Sequence, residues 1–230
     1  MPERAIIVRV MRYKPGIIDP PRFENHEIVI DEERTVLDCL ETIRTNLDTS
    51  ILFRHSCHHA SCGTCAMIIN GVERLACITK IGYIEGNVIA LEPLRGFPPA
   101  GDLVRNMNGF FNYYPEPYNY IRHSEMLPPA APLLEIKEFL RFENCIECGA
   151  CVSACPVTDK KGDFMGPASL AAIGRELEKS PERSDELIAL AGGERGERLC
   201  ERALRCSKVC PMGVYPAMHI ENLRKKRINA

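Results

Sequence analysis

The chain has 230 residues, with 29 basic and 31 acidic side chains, and 45% of its residues are hydrophobic. This composition is that of a globular protein and excludes a disordered tail, a collagen or a coiled coil, and the balanced charge gives no reason to expect a nucleic-acid partner. Its apolar stretches are far shorter than the roughly 18 residues of a membrane span, so no transmembrane segment is expected.

The first half of the chain has the pattern of a small α+β domain. Short β-branched runs bounded by turn residues predict strands, Thr35 before apolar residues at helical spacing predicts a capped helix, and Asn70-Gly71 is a strong hairpin signal. In chain order we expect strands at 5–11 and 27–30 with turns at 15–16 and 19–21, a helix from 35 to about 46, and strands at 65–69 and 73–78. One helix packed on a sheet follows from this order.

A proline-rich segment, with runs at 113–118 and 127–132, divides the chain in two. We place the boundary near residue 125, which gives domains at 1–125 and 126–230. The second half shows almost no strand pattern and is expected to be all-α. Its predicted helices are at 167–178, 184–190, 197–205 and 216–227.

Twelve of the residues are cysteine. The first residues, MPERAII, contain no signal-peptide pattern, so we expect a reducing cytoplasm, where clustered cysteines bind metal or do redox chemistry rather than form disulfides. Cys39, within the predicted helix, is interpreted as a small buried hydrophobic residue. The other eleven cysteines form one group in each half of the chain.

The first group has the spacing C-x4-C-x2-C followed by a distant fourth cysteine, which is typical of a plant-type [2Fe–2S] cluster. Small residues between the ligands, such as Gly63, allow backbone N–H groups to turn towards sulfur. The predicted ligands are Cys57, Cys62, Cys65 and Cys77.

Two alternatives stay open for this group. A Rieske cluster needs two histidine ligands, and Cys57-His58-His59 supplies one Cys-x-His, although no histidine follows Cys65 or Cys77 at the required distance. A zinc knuckle could use the C-x2-C pair, although the preceding x4 step is not a usual zinc spacing. The simplest interpretation of the three local histidines is that they are solvated loop residues: His55, His58 and His59.

The second group contains the bacterial ferredoxin run C-x2-C-x2-C-x3-C-P, in which the fourth cysteine ligates a different cluster from the first three. A later run has the same C-x3-C-P ending but carries Ala203 where a regular run has its middle cysteine. The crossing rule predicts a [4Fe–4S] cluster on Cys145, Cys148, Cys151 and Cys210. It leaves Cys155, Cys200 and Cys206 for a [3Fe–4S] cluster with Ala203 at the vacant corner. Zinc or scattered buried thiols are the alternative.

This regular-then-incomplete pair of runs behind a plant-type loop resembles the iron–sulfur subunit of the succinate dehydrogenase and fumarate reductase family. The resemblance covers nearly the whole chain. Further matching segments are TVLD at 35–38, RHSC at 54–57, NG at 70–71, RLAC at 74–77, EPL at 92–94, DLV at 102–104 and DFMGPA at 163–168.

Membership of that family implies a β-grasp ferredoxin domain followed by an α-helical ferredoxin domain. It implies an electron-transfer subunit of an oxidoreductase complex of the tricarboxylic acid cycle or of fumarate reduction, with no bond chemistry in this chain itself. Its partners would be a flavoprotein catalytic subunit that carries FAD and a membrane anchor with quinone. The chain would then lie peripherally on the cytoplasmic side of the cell membrane.

Two departures from succinate dehydrogenases concern the quinone side. Those enzymes place a tryptophan soon after the proline of the first run and a histidine after the first cysteine of the last run. Here the residues after Pro156 are VTDKK at 157–161, without a tryptophan, and Glu201 follows Cys200. In fumarate reductases a basic residue on the next helix can approach quinone, and Arg224 has that position, although 224–227 also has the pattern of a solvated basic end. A soluble fumarate reductase with a thiol donor, and a zinc-stabilised interaction module, are the rival functions.

Overall fold

The computed structural model describes residues 3–115, 144–160 and 163–229. They form two units, one built from the described residues of Met1–Gly109 and Ile146–Ala154, the other from those of Phe110–Cys145 and Cys155–Ala230. The boundary that we predicted near residue 125 lies outside the described residues, as does the proline run at 127–132. In the described ranges, no helix combines the length and the apolar character that crossing a bilayer requires.

The first unit is a mixed five-stranded sheet with the strand order β2-β1-β5-β3-β4. Strand β1 pairs antiparallel with β2 and parallel with β5, and β3 pairs antiparallel with both β4 and β5. The strands are β1 (Glu3–Lys14), β2 (Ile18–Asp31), β3 (Ala66–Ile69), β4 (Val72–Leu75) and β5 (Val88–Glu92), and a separate small sheet pairs β6 (Pro99–Gly101) with β7 (Val104–Arg105). With one helix on the sheet, this is the expected β-grasp ferredoxin domain.

That helix, α1 (Val36–Asn46), begins where the sequence predicts. The Thr35 hydroxyl accepts a hydrogen bond from the Asp38 backbone N–H at 3.2 Å, and the Asp38 carboxylate accepts one from the Thr35 N–H at 2.7 Å, which completes a capping box. Along β1 every second residue is buried, because one face of the strand packs under α1 in a shared apolar core. Cys39 belongs to this core, as predicted, and is only 1% exposed.

Two boundaries in the first unit differ from the prediction. The expected turn at 19–21 lies inside β2, which is an edge strand, and an edge strand tolerates prolines that lack an N–H to donate. The strand predicted at 73–78 ends at Leu75, and Ala76–Ile78 forms a 3₁₀ turn. This turn carries Cys77 out of the sheet pairing.

The second unit is helical, and the structure shows no strand between residue 144 and residue 229 in the part that it describes. The main core joins three helices through apolar residues that include Leu170, Ile173, Leu187, Ile220 and Leu223. The helices of this unit are α3 (Pro156–Lys160), α4 (Gly166–Lys179), α5 (Ser184–Gly192), α6 (Arg205–Lys208) and α7 (Pro216–Asn229), whereas α2 (Ala150–Ser153) belongs to the first unit.

The helix predicted at 197–205 is wrong. Glu197–Leu199 forms one 3₁₀ turn, and the chain then runs irregularly until α6 begins at Arg205. Arg202 and Leu204 have φ values of 57° and 59°, in the left-handed region that interrupts a right-handed helix. Residues 200–206 line a cavity in this irregular conformation.

Candidate metal centres

The loop after Phe53 presents a cysteine sulfur to several backbone amides. The sulfur of Cys57 accepts hydrogen bonds from the N–H groups of Ser61 at 3.2 Å and Cys62 at 3.3 Å. Hydrogen bonds from the His59 backbone, and then from Cys62 and Ser61, lower the pKa of Cys57 to about 7. Left-handed φ values at 58, 60 and 63 turn the amides inward, which is the arrangement that the small loop residues predict.

The four cysteines of the first group interact in two pairs. The side chain of Cys57 interacts with that of Cys62, and Cys65 interacts with Cys77. Burial raises the pKa of Cys65 to about 12, and the neighbouring Cys77 contributes in the same direction. A buried thiol with so high a pKa needs a bound cation to become a thiolate.

The spacing of these sulfurs argues against one zinc ion. Four thiolates on zinc lie about 3.8 Å apart, which is the edge of a tetrahedron with bonds of about 2.3 Å. In the described part of the chain, the ligand triads whose donor atoms all lie within 4.8 Å of one another contain no cysteine: Glu41, His55 and His58, and Glu24, His26 and Asp48. Two separate thiol pairs instead fit two irons with two thiolates each.

The histidines beside this loop are only partly as predicted. His58 and His59 are exposed, but His55 is half-buried, and its Nε2 lies 3.1 Å from Nη2 of Arg44. Because a guanidinium only donates, Nε2 accepts and the ring proton is on Nδ1, which faces Glu41 at 3.5 Å and His58 at 3.1 Å. His55 is therefore a hydrogen-bonded loop residue and not a solvated one, and its Nδ1 donates rather than binding metal.

The segment that carries Cys148 and Cys151 belongs to the first unit. A Cβ at Gly63 would lie 2.8 Å from Cβ of Cys148, so the glycine allows the loop carrying Cys62 and Cys65 to approach this segment. Ser153 donates to the buried Glu73 carboxylate at 2.8 Å and accepts from the Arg95 N–H at 2.9 Å. Sequence reasoning missed both Glu73 and Ser153, because their contact joins positions 80 residues apart without any spacing signal.

The three cysteines predicted to hold the [3Fe–4S] cluster surround one cavity in the second unit. This cavity has a volume of about 340 Å³, and its lining includes Cys155, Cys200, Cys206 and Ala203. Burial raises the pKa of Cys206 to about 11, and the neighbouring Cys155 and Cys200 add to the effect. Three converging thiols, with an alanine methyl group beside them, fit a cluster with three protein ligands.

Arg224 also lines this cavity, but its guanidinium is bonded within the protein. Nε donates to the Glu197 carboxylate at 2.9 Å, and Nη2 donates to the backbone carbonyls of Glu197 at 2.8 Å and Cys200 at 3.4 Å. Nη1 donates to Glu221 at 3.2 Å. The predicted role of Arg224 on the quinone side stays a prediction.

Cys145 and Cys210, the remaining predicted ligands, are both half-buried in the second unit. The Cys210 sulfur accepts a hydrogen bond from the Val214 N–H at 3.4 Å. Their grouping with Cys148 and Cys151 rests on the spacing of the cysteine runs and stays a prediction.

The fold and these sites define a two-domain iron–sulfur protein. Residues 7–112 match the family described as 2Fe-2S iron-sulfur cluster binding domain, and residues 141–214 match the 4Fe-4S dicluster domain. The iron-sulfur subunit of fumarate reductase from Mycobacterium tuberculosis is 36% identical over 95% of this chain and 91% of its own length. The corresponding subunit from Haemophilus influenzae is 30% identical over 93% of this chain and 89% of its own length.

The chain therefore belongs to the family of iron–sulfur subunits of fumarate reductase and succinate dehydrogenase, and has the electron-transfer role of that family. A solved chain of the Mycobacterium smegmatis Sdh1 complex in the apo form has the same fold, with a TM-score of 0.78. It is 22% identical in sequence, and the alignment covers 99% of this chain and 97% of that one.

Proposed function

We propose that this chain relays electrons between a FAD-bearing catalytic subunit and a membrane quinone in a complex that interconverts succinate and fumarate. The observation that carries the proposal is the cavity that Cys155, Cys200, Cys206 and Ala203 share. Many proteins combine ferredoxin-type domains, but three thiols with an alanine in place of the fourth fit the three-iron centre of this family.

The proposed ligand sets are those of the cysteine runs. Cys57, Cys62, Cys65 and Cys77 would hold [2Fe–2S], and the interacting pairs among them support this set. Cys145, Cys148, Cys151 and Cys210 would hold [4Fe–4S], and Cys155, Cys200 and Cys206 would hold [3Fe–4S]. When bound, these groups supply one-electron redox chemistry at potentials that protein hydrogen bonds and burial adjust.

The residues of the chain itself position the ligands and stabilise charge on sulfur. The amides that donate to Cys57 favour its thiolate and would stabilise negative charge gained on reduction. Thiols as buried as Cys65 and Cys206 are shielded from water, which restricts exchange of ligands with solvent.

The proposed partners are a flavoprotein subunit and an anchor subunit in the membrane. The chain would attach peripherally to the anchor, at the cytoplasmic face, and would serve the tricarboxylic acid cycle or fumarate respiration. The relatives that are 30% to 36% identical are subunits of fumarate reductase, which supports a partner that binds the dicarboxylate.

A second candidate is a soluble fumarate reductase in which a thiol-oxidising subunit replaces the quinone anchor. The observation in its favour is the absence of the tryptophan and histidine that succinate dehydrogenases carry near quinone. The residues at 157–161, after the proline of the first run, include no tryptophan, and an exposed glutamate, Glu201, follows Cys200 in place of the histidine.

The cluster assignment is tested on the full chain purified anaerobically. We expect a brown protein with about nine irons, the sum of two, four and three. The oxidised protein should give a three-iron EPR signal, and Ala203→Cys should weaken this signal in favour of a four-iron cluster. A colourless zinc protein, or a wild type without the three-iron signal, would contradict the assignment.

The electron donor is tested on the complex isolated with the chain. Fumarate reduction is measured with a reduced quinone analogue and, separately, with a dithiol donor. Activity with the quinone alone supports the first proposal, and activity with the dithiol alone supports the soluble complex.

A further inference from the structure

Glu197 is a buried carboxylate that receives two guanidinium groups from α7. It is fully buried, and its two oxygens accept from Nε of Arg224 at 2.9 Å and from Nε of Arg227 at 2.6 Å. A buried carboxylate without such partners would be strongly unfavourable, so the two arginines hold the Glu197 side chain against α7. Glu197 begins the 3₁₀ turn Glu197–Leu199, and Cys200 directly follows this turn.

The same arginine also contacts the backbone of that turn. The Glu197 carbonyl accepts a hydrogen bond from the Cys200 N–H at 3.1 Å and another from Nη2 of Arg224 at 2.8 Å. The Cys200 carbonyl accepts a further hydrogen bond from the same Nη2 at 3.4 Å. Arg224 thus contacts both ends of the turn that presents the Cys200 sulfur to the cavity. A shift of this side chain would move the ligand itself.

Arg224 also places a positive charge near Cys200. Burial by itself would lower the pKa of Arg224, but the hydrogen bond to Glu197, the nearby Cys200 and the Glu221 carboxylate together raise it. The side chain is 13% exposed, so solvent screens this charge only in part. A fixed cation at this place favours the more negative, reduced form of any cluster bound there.

We propose that Arg224 is a positioning residue of the three-cysteine centre, which fixes the Cys200 turn through Glu197 and holds a positive charge beside that ligand. The inference rests on the proposed function, which places a cluster in this cavity. In this role the Arg224 side chain acts on the turn that carries Cys200. Four of its five N–H groups already have protein acceptors, and three of these bonds go to Glu197 and Cys200 at the two ends of the ligand turn.

The test compares variants of the full chain purified anaerobically. Arg224→Met removes the hydrogen bonds and the charge, and Lys225→Met removes one charge from an exposed neighbouring position on α7. We expect Arg224→Met to release iron to a chelator about tenfold faster than Lys225→Met, as for the loss of one charge-assisted hydrogen bond. Arg224→Lys, which keeps the charge and allows one contact, should be intermediate and guards against a variant that does not fold.

A second pair of variants separates position from charge. Glu197→Gln removes the negative charge and leaves one amide oxygen to accept from two arginines, so it weakens the same contact and should also accelerate iron release. In a redox titration followed by EPR, its three-iron centre should shift to a higher potential, whereas that of Arg224→Met should shift to a lower one. The effect of the double variant on iron release should be smaller than the two single effects combined, because both single variants weaken the shared contact between Arg224 and Glu197.

Equal iron release and equal potentials in Arg224→Met, Lys225→Met and the wild type would overturn the inference. Additive effects in the double variant would overturn the action through Glu197. Failure of the proposed function would appear in the wild type itself, as the absence of the three-iron signal. The chelator assay detects released iron whatever the type of cluster. The comparison between Arg224→Met and Lys225→Met therefore tests the inference even if the three-iron signal is absent.

Discussion

Gly63 offers the sharpest test of how the first unit is built. It is buried, has a φ of 71°, and lies between the cysteines at 62 and 65. In Gly63→Ala the new Cβ would lie 2.8 Å from Cβ of Cys148 and 2.8 Å from the Ile146 carbonyl oxygen. A Cβ has no rotamer to escape these contacts, so the segment at 146–148 would have to move.

The expected cost has two parts. An alanine in the left-handed region costs about 1 kcal/mol relative to glycine. Overpacking against Cys148 and the Ile146 carbonyl adds about 1–3 kcal/mol, because neither neighbour is the end of a flexible side chain. The sum of about 2–4 kcal/mol is below the stability of a typical domain, so the variant should fold.

A matched control isolates the contact. Gly86 has the same φ of 71°, but a Cβ there would meet no atom within 4 Å. Gly86→Ala therefore carries only the backbone strain. Anaerobic thermal unfolding, followed by circular dichroism at one scan rate, should place the Tm of Gly63→Ala below that of Gly86→Ala by about 3–9 °C, at about 3 °C per kcal/mol.

The iron content of the two variants gives a second readout. Gly63→Ala should lose iron relative to Gly86→Ala, because its clash moves a segment that carries the predicted ligand Cys148. Equal Tm values and equal iron in the two variants would refute the close approach of this loop to residues 146–148.

Two further predictions concern buried polar groups. Ser153→Ala removes the hydroxyl that bridges the buried Glu73 carboxylate and the Arg95 N–H, so it should lower the free energy of unfolding in urea titrations by about 1–3 kcal/mol. Glu73→Gln keeps an acceptor for this hydroxyl and should cost less, and a Ser153→Ala variant as stable as the wild type would contradict the prediction. His219 is 2% exposed, and burial lowers its pKa to about 4. As the pH falls, the imidazole is therefore protonated in the unfolded chain before it is protonated in the folded one. The free energy of unfolding should decrease by about 1.4 kcal/mol between about pH 7.5 and pH 5.5. The same urea titrations on His219→Gln should show a smaller fall, and an equal fall would show that His219 is not the source.

The conformation of the first cysteine loop could be predicted from the sequence because the constraint on it is local. Three cysteines of the first group come from one tight loop, so their spacing encodes a geometry that a few residues can satisfy alone. The loop with Cys57, Cys62 and Cys65 bears this out, since its small residues turn the amides inward as expected. The Thr35 cap was predictable for the same reason, because both hydrogen bonds of a capping box lie within three residues.

The helix expected at 197–205 fails for the opposite reason. Apolar residues recur there at helical intervals, but left-handed residues at 202 and 204 curve the chain along the cavity with Cys200 and Cys206. Helix propensity depends on neighbouring residues and gives no information about a cavity that distant segments form together. A cysteine run that also has a helical pattern is therefore better interpreted as an irregular ligand loop.

What holds the ligand loops in place is likewise invisible in the sequence. Glu197 and Arg224 are 27 residues apart, and Glu73 and Ser153 are 80 apart, yet each pair anchors a segment that bears predicted ligands. Nothing in their spacing distinguishes them from exposed charged residues, and the basic end at 224–227 looks like a solvated one. The two classes of residue should also fail differently on mutation. Replacing a cysteine removes a ligand outright, whereas replacing an anchor such as Glu197 leaves the ligand present but free to move, so iron loss should be gradual in anchor variants and complete in cysteine variants.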